Sequence, residues 1–219
     1  MSELTSLVYT SSLYTAIPMK CKLCKSEVNK LVKSHIAPKA FFKNMPDQGR
    51  FKSRGLYGDR GRVMPSGIYD RSIPCQVYEH DIFEPLDDYA AKILKHKTGV
   101  SRLEMSVDGS MGVYIFADVD KKLMMNFIAC FLWRASVSDH KELDAFKLRG
   151  LVRKKIERYL QRNLAVDFLD ATVSCYSHDI HNAFRMPFYA KSNSVQARHI
   201  QLPKIHIVVA GSIKKSAWW

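Results

Sequence analysis

Residues 21–42 read CKLCKSEVNKLVKSHIAPKAFF, and this stretch governs the reading of the whole chain. Cys21 and Cys24 stand two residues apart. A short turn between such cysteines aims both sulfurs at one point, which makes half of a tetrahedral zinc site. A polar turn follows, then residues 28–32, then Ser34-His35-Ile36 and Pro38. The pattern predicts a small hairpin in which residues 28–32 pair with Ile36, and Pro38 stops the second strand or marks its edge. Taken alone, Cys-x-x-Cys is a weak signal, and His35 reads as a structural histidine bonded to a carbonyl.

The other half of such a site has to come from further along. Residues 67–97 read GIYDRSIPCQVYEHDIFEPLDDYAAKILKHK. Cys75 supplies one more thiolate. The position three residues on, where a second Cys-x-x-Cys would close, holds Tyr78, and a phenol is a poor zinc ligand. His80 lies two residues beyond. An imidazole there would complete a Cys21, Cys24, Cys75, His80 set, since three cysteines and a histidine are a common zinc combination. The rival is a site lost, or left with three protein ligands. Pro85 suits the first position of a helix, with Asp87 and Asp88 in its first turn. Leu86, Tyr89, Ala90, Ile93 and Leu94 then form one apolar face.

Between these segments, residues 43–71 read as loop. Gly49, Gly55, Gly58, Gly61 and Gly67 alternate with cations, among them Arg50, Lys52, Arg54, Arg60 and Arg62. A glycine-rich backbone approaches a phosphate chain closely, and interleaved arginines grip it. A mobile, solvated insertion is the alternative, and both readings stand open. The chain of 219 residues carries a net charge of +13, which favours a polyanionic partner. At 47% hydrophobic it has the composition of a folded protein. Its five cysteines are odd in number and show no disulfide spacing, so a reducing compartment with a metal site is expected. The start of the chain lacks a basic segment followed by an apolar run, and residues 123–133 are too short to span a bilayer. The expectation is a soluble, cytoplasmic protein without a membrane partner. Residues 1–20 read as a lead-in with a short strand.

Downstream, Leu103, Met105 and Val107 alternate with polar residues, and Asp108-Gly109 signals a turn before a return strand at Val113–Phe116. Residues 121–162 predict two helices. The first has Leu123, Met124, Phe127, Ile128, Phe131 and Leu132 at helical spacing, with Cys130 as a small buried hydrophobe. The second, from about Ala145 to Gln161, has Leu148, Leu151, Val152, Ile156 and Leu160 on one side. Arg153, Lys154 and Arg158 mark its basic side, which reads either as a phosphate-gripping face or as an ordinary solvated one. Residues 165–173 and 205–210 are the clearest strands of the remainder. His178, Asp179 and His181 form a weak second metal candidate, and Trp218-Trp219 end the chain. No phosphate-binding loop, dinucleotide fingerprint or nucleophile elbow is present in the sequence.

The Cys-x-x-Cys pair, Ser34-His35-Ile36-Ala37-Pro38-Lys39, and the later piece FLWRASVS at Phe131–Ser138 resemble a group of bacterial HNH-like proteins. That resemblance implies a ββα-metal, zinc-knuckle module. In it His35 takes the general-base position, activating a water against a phosphodiester. A divalent metal, Mg2+ or Mn2+, stabilises the phosphate and the leaving oxygen. Asp70 falls where an orienting asparagine stands, and Glu79 where the last metal ligand stands. Ser34 replaces the usual Asp, Glu or His before the base. By analogy with the family the chain would be a DNA-directed effector of a phage-defence or toxin module. The alternative is a decayed nuclease acting as a nucleic-acid- or partner-binding subunit of a larger defence complex. A toxin acting on a non-nucleic target is a third possibility. The expected fold is α+β: an N-terminal extension at 1–20, an HNH-like module at 21–98, and an α+β region at 99–219 holding helices and a β-hairpin.

Overall fold

A computed structural model describes residues 18–43, 51–53, 62–64, 67–105, 112–116, 118–175, 185–192, 195–202 and 205–211. The fold is α+β, with small antiparallel strand pairs, helices and one four-stranded antiparallel sheet.

Strand β1 (Met19–Lys20) pairs with β2 (Glu27–Val28) across the first cysteine turn. This corrects the expected hairpin between residues 28–32 and Ile36. The turn itself closes the ribbon: Cys21 N–H donates to the Ser26 carbonyl and Lys25 N–H to the Cys21 carbonyl, each at 3.0 Å. Lys25 takes φ of +66°, the left-handed conformation that such a tight reversal needs. Strand β3 (Ser34–His35) instead pairs with the distant β6 (Tyr69–Asp70), Ser34 opposite Asp70 and His35 opposite Tyr69. Between them, β4 (Phe51–Ser53) pairs with β5 (Arg62–Met64), so the segment read as loop contains a two-stranded ribbon. Gly67 enters β6 with φ of +78°, and a Cβ there would meet the buried Phe42 ring at 2.6 Å.

The helix expected from Pro85 starts nine residues earlier. It runs as α1 (Gln76–Tyr78), a π turn (Glu79–Phe83), α2 (Glu84–Ala90) and a second π turn (Ala91–Lys95). Proline, which lacks an N–H, falls just after the first wide turn. The expected hairpin is present as β7 (Val100–Met105) and β8 (Gly112–Phe116), with its turn outside the described residues. Both expected helices are present as α3 (Lys121–Val137) and α4 (Gly150–Gln161), the second starting five residues later than expected because residues Lys141–Phe146, Ala145 among them, form a 3-10 turn. Leu151 departs from the expected apolar face: it is exposed, while Val152, Ile156 and Leu160 are buried. The final sheet has the order β10-β11-β12-β9, formed by Leu169–Cys175, Arg185–Ser192, Val195–Leu202 and Ile205–Gly211 as β9 to β12.

Helix α3 is the hub. Every residue from Met124 to Ser136 is buried, and Asp120 caps its start by accepting from Leu123 N–H at 3.0 Å. A helix apolar nearly all round belongs inside a domain. One hydrophobic cluster joins Cys21 and Leu23 of the cysteine turn, Ile36, Phe42, Phe83, α3, and Ile200 and Ile207 of the sheet. Each such fully buried large side chain is worth roughly 1.5–3 kcal/mol.

Candidate functional site

Cys21, Cys24 and Cys75 bring three sulfurs within 4.8 Å of one another, and all three are free thiols. The segment carrying Cys75 is clamped to the cysteine turn by backbone bonds, Lys22 N–H to Ile73 O at 2.8 Å and Val32 N–H to Pro74 O at 3.0 Å. Cys75 N–H donates to Cys21 Sγ at 3.3 Å. Lys22 Nζ braces the same junction through Ser72 Oγ, Val137 O and Asp139 Oδ2, at 3.0, 2.8 and 2.7 Å. Burial pushes the Cys75 thiol up, whereas at Cys24 hydrogen bonds from Ser26 outweigh burial and hold the thiol below its ordinary value. N–H donors aimed at clustered sulfurs favour thiolates, so the donor set suits a soft divalent ion such as zinc.

His80 does not join this group. It is exposed, and its Nδ1 lies 2.7 Å from Glu84 Oε2. The cause is the early helix start. The residues after Cys75 are helical, so the turning chain carries His80 to a side of the axis that faces solvent. Tyr78, one turn after Cys75, stays on the sulfur side. Burial, followed by the nearness of Cys24, Cys21 and Cys75, pushes its phenol up. The structure thus gathers three protein sulfurs, with a phenol nearby.

A second polar centre lies where β3 meets the first π turn. Glu79 Oε2, His35 Nε2 and Arg134 Nε are buried and meet no hydrogen-bond partner at good geometry among the described residues, and buried Ser34 Oγ lies near enough to Glu79 to favour its charged form. Burial lifts the Glu79 carboxyl above its usual range, tempered by nearby Ser34 and Arg134. Burial, with the cations of Lys33, Arg134 and Lys39, brings His35 down to about 4, so its imidazole is neutral at pH 7. Arg134 has no exposed side-chain surface and is held charged by Asp87, whose two oxygens it meets at 2.6 and 2.9 Å. The sequence reading did not single out this pair. Its signal was present, because Arg134 is the single charged residue between Leu123 and Val137.

Asp70 serves otherwise than expected. Its carboxylate accepts from Ser72 N–H, Ser72 Oγ and Ser138 Oγ at 2.7 Å each, and from Asp139 N–H at 3.0 Å. Burial opposes the charge, but these bonds outweigh it and bring the group to about 2. It ties β6 to the end of α3 and forms no bond to His35 in the structure. Among the described residues, Cys21, Cys24 and Cys75 are the one set of three metal-ligating side chains drawn together, so Asp70, Glu79 and His35 do not form a second.

The basic face of α4 is there: Lys154 and Arg158 are exposed, while half-buried Arg153 places Nε 3.9 Å from Glu157. Arg50, Arg54 and Arg60 lie outside the described residues, as do His178, Asp179, His181 and Trp218-Trp219. Lys52 and Arg62 are described in backbone, on facing strands β4 and β5. No helix among the described residues is long and apolar enough to cross a membrane. Compared with protein-family models, curated proteins and solved structures, the chain matches none.

Proposed function

We propose that this chain is a zinc-knuckle protein directed at nucleic acid, with an HNH-like centre for hydrolysing phosphodiesters at β3 and the first π turn. The observation that carries this reading is that buried polar atoms of His35, Glu79 and Arg134 make no hydrogen bond, with Arg134 acting on both His35 and Glu79 and with Ser34 beside Glu79. Buried polar atoms without partners are costly, and a bound ion, water or phosphate oxygen accounts for them. Cys21, Cys24 and Cys75 would hold zinc in a structural role. Neutral His35 accepts a proton from an attacking water. Glu79 Oε2 supplies an anionic ligand for a divalent ion, Mg2+ or Mn2+. Such an ion, when bound, stabilises charge on the phosphate and the departing oxygen. Lys33, Arg134 and Lys39 place His35 in a positive field, which favours an anionic substrate. The basic side of α4 and the cations of residues 50–62 would contact the backbone of DNA.

The second reading is a binding subunit without cleavage activity. One observation favours it: Glu79 is the sole carboxylate among those four residues, with Ser34 where a stronger ligand would stand. The deciding experiment is cleavage of plasmid and single-stranded substrates with Mg2+ or Mn2+, comparing wild type with His35→Ala. Cleavage lost in a variant with an unchanged circular dichroism spectrum supports the hydrolase. No cleavage by wild type, with DNA binding intact, supports the subunit.

A further inference from the structure

The β3–β6 pair has two unlike faces. Ser34 and Asp70, opposite each other, are buried. On the other side Tyr69 is 36% exposed and ringed by cations. Lys33 Nζ lies 3.9 Å from the centre of its ring and Arg71 Cζ 5.9 Å from it. His35 meets the ring edge-on at 6.0 Å between centroids. The strand beneath is fixed, since the Tyr69 carbonyl contacts His140 Nε2 at 2.7 Å and Asp70 is fully bonded. Exposed Lys39 adds to the positive field felt at His35. Asp70, on the same ribbon, is turned inward, and Asp139, whose N–H donates to it, pairs with Lys22 at 2.7 Å.

We propose that this face is a base-stacking site for single-stranded nucleic acid, with Tyr69 as platform and Lys33 and Arg71 as flanking phosphate contacts. It deepens the nucleic-acid reading above and rests on it. An aromatic ring flanked by cations on a fixed ribbon is how single strands are held without sequence readout. Lys33 now rests on the ring. A lysine on an exposed aromatic is the weaker of the two contacts, so an arriving base displaces it, and the freed ammonium meets the adjoining phosphate. The strand would then pass beside His35, which shares the Tyr69 ring contact.

The test is equilibrium binding by fluorescence anisotropy, without added Mg2+ or Mn2+, using labelled oligothymidine and an abasic oligomer of equal length. Wild type is expected to prefer the base-bearing strand by roughly tenfold, the worth of one stacked base. Tyr69→Ala should remove that preference and Tyr69→Phe keep it, while Lys33→Gln should lower the salt slope by roughly 0.7, one phosphate on a single strand. Equal affinity of wild type for the two oligomers overturns the proposal, as does unchanged binding by Tyr69→Ala. Absence of any binding by wild type overturns it together with the nucleic-acid reading. Stacking-dependent binding without cleavage upholds it while the hydrolase reading fails.

Discussion

The backbone N–H of Cys75 donates to Cys21 Sγ at 3.3 Å, a contact between residues 54 positions apart in the chain. It fixes the third thiol against the first pair before any ion arrives. The purified protein is therefore expected to carry about one zinc per chain. Cys75→Ser should lose most of it. His80→Ala should retain it, because His80 points away and pairs with Glu84. Metal analysis of the three proteins checks this, and zinc loss in His80→Ala would refute the geometry.

Arg134 and Asp87 make a test of the buried ion pair. Asp87→Ala leaves a guanidinium with no exposed surface unpaired. The expected loss of stability is about 3–5 kcal/mol by urea denaturation. Adding Arg134→Met should recover much of that loss, since the stranded charge is then gone.

Asp70 predicts an acid sensitivity. Its folded group titrates at about 2 against an ordinary 3.8. A lowered carboxylate contributes stability that is complete above pH 3.8 and is lost as pH falls towards 2. On the order of 1–2 kcal/mol should disappear across that window in wild type. Asp70→Asn should be less stable at pH 6 and lack that dependence, as measured by urea midpoints at each pH.

His35 predicts the pH profile of any cleavage. A base titrating near 4 stays neutral through pH 5, so His35 itself should cause no fall in rate between pH 8 and about 5, and a fall within that range that persists in Glu79→Gln would not come from Glu79, whose carboxyl burial lifts. A fall centred on pH 6.5 that survives Glu79→Gln would mean that burial and the nearby cations do not govern this imidazole.

Gly67→Ala should cost about 1–3 kcal/mol. The positive φ disfavours any side chain, and the new methyl would press on Phe42 at 2.6 Å. Pairing it with Phe42→Leu should relieve the clash but not the backbone strain, giving partial recovery of the thermal midpoint.

The cysteine turn, the hairpin of β7 and β8, and both later helices were legible because their signals are local: a spacing, an alternation, an apolar stripe. The partner of β3 was not. Ser34 opposite Asp70 is set by packing across a long intervening segment, and nothing between residues 28 and 36 announces it. The fourth-ligand expectation failed at His80 for a related reason. Ligand direction depends on helical phase, and Pro85 drew attention to the wrong start. Asp70 and Glu79 were both picked from the sequence, yet only the folded chain shows one saturated with donors and the other with an open oxygen.

The two π turns of the helix from Gln76 to Lys95 have an evolutionary consequence. Each amounts to one residue accommodated without breaking the helix. Buried Glu79, Phe83, Leu86, Ala90 and Leu94 recur at spacings of four, three, four and four through both wide turns. A descendant that shed one residue between Glu79 and Phe83 would heal into a regular helix and still present Leu86, Asp87 and Leu94 to the core. Its acidic residue would then sit one position nearer to Leu86. Kinship to such a chain should be sought with gaps allowed inside this helix, at the two places where its turns are wide.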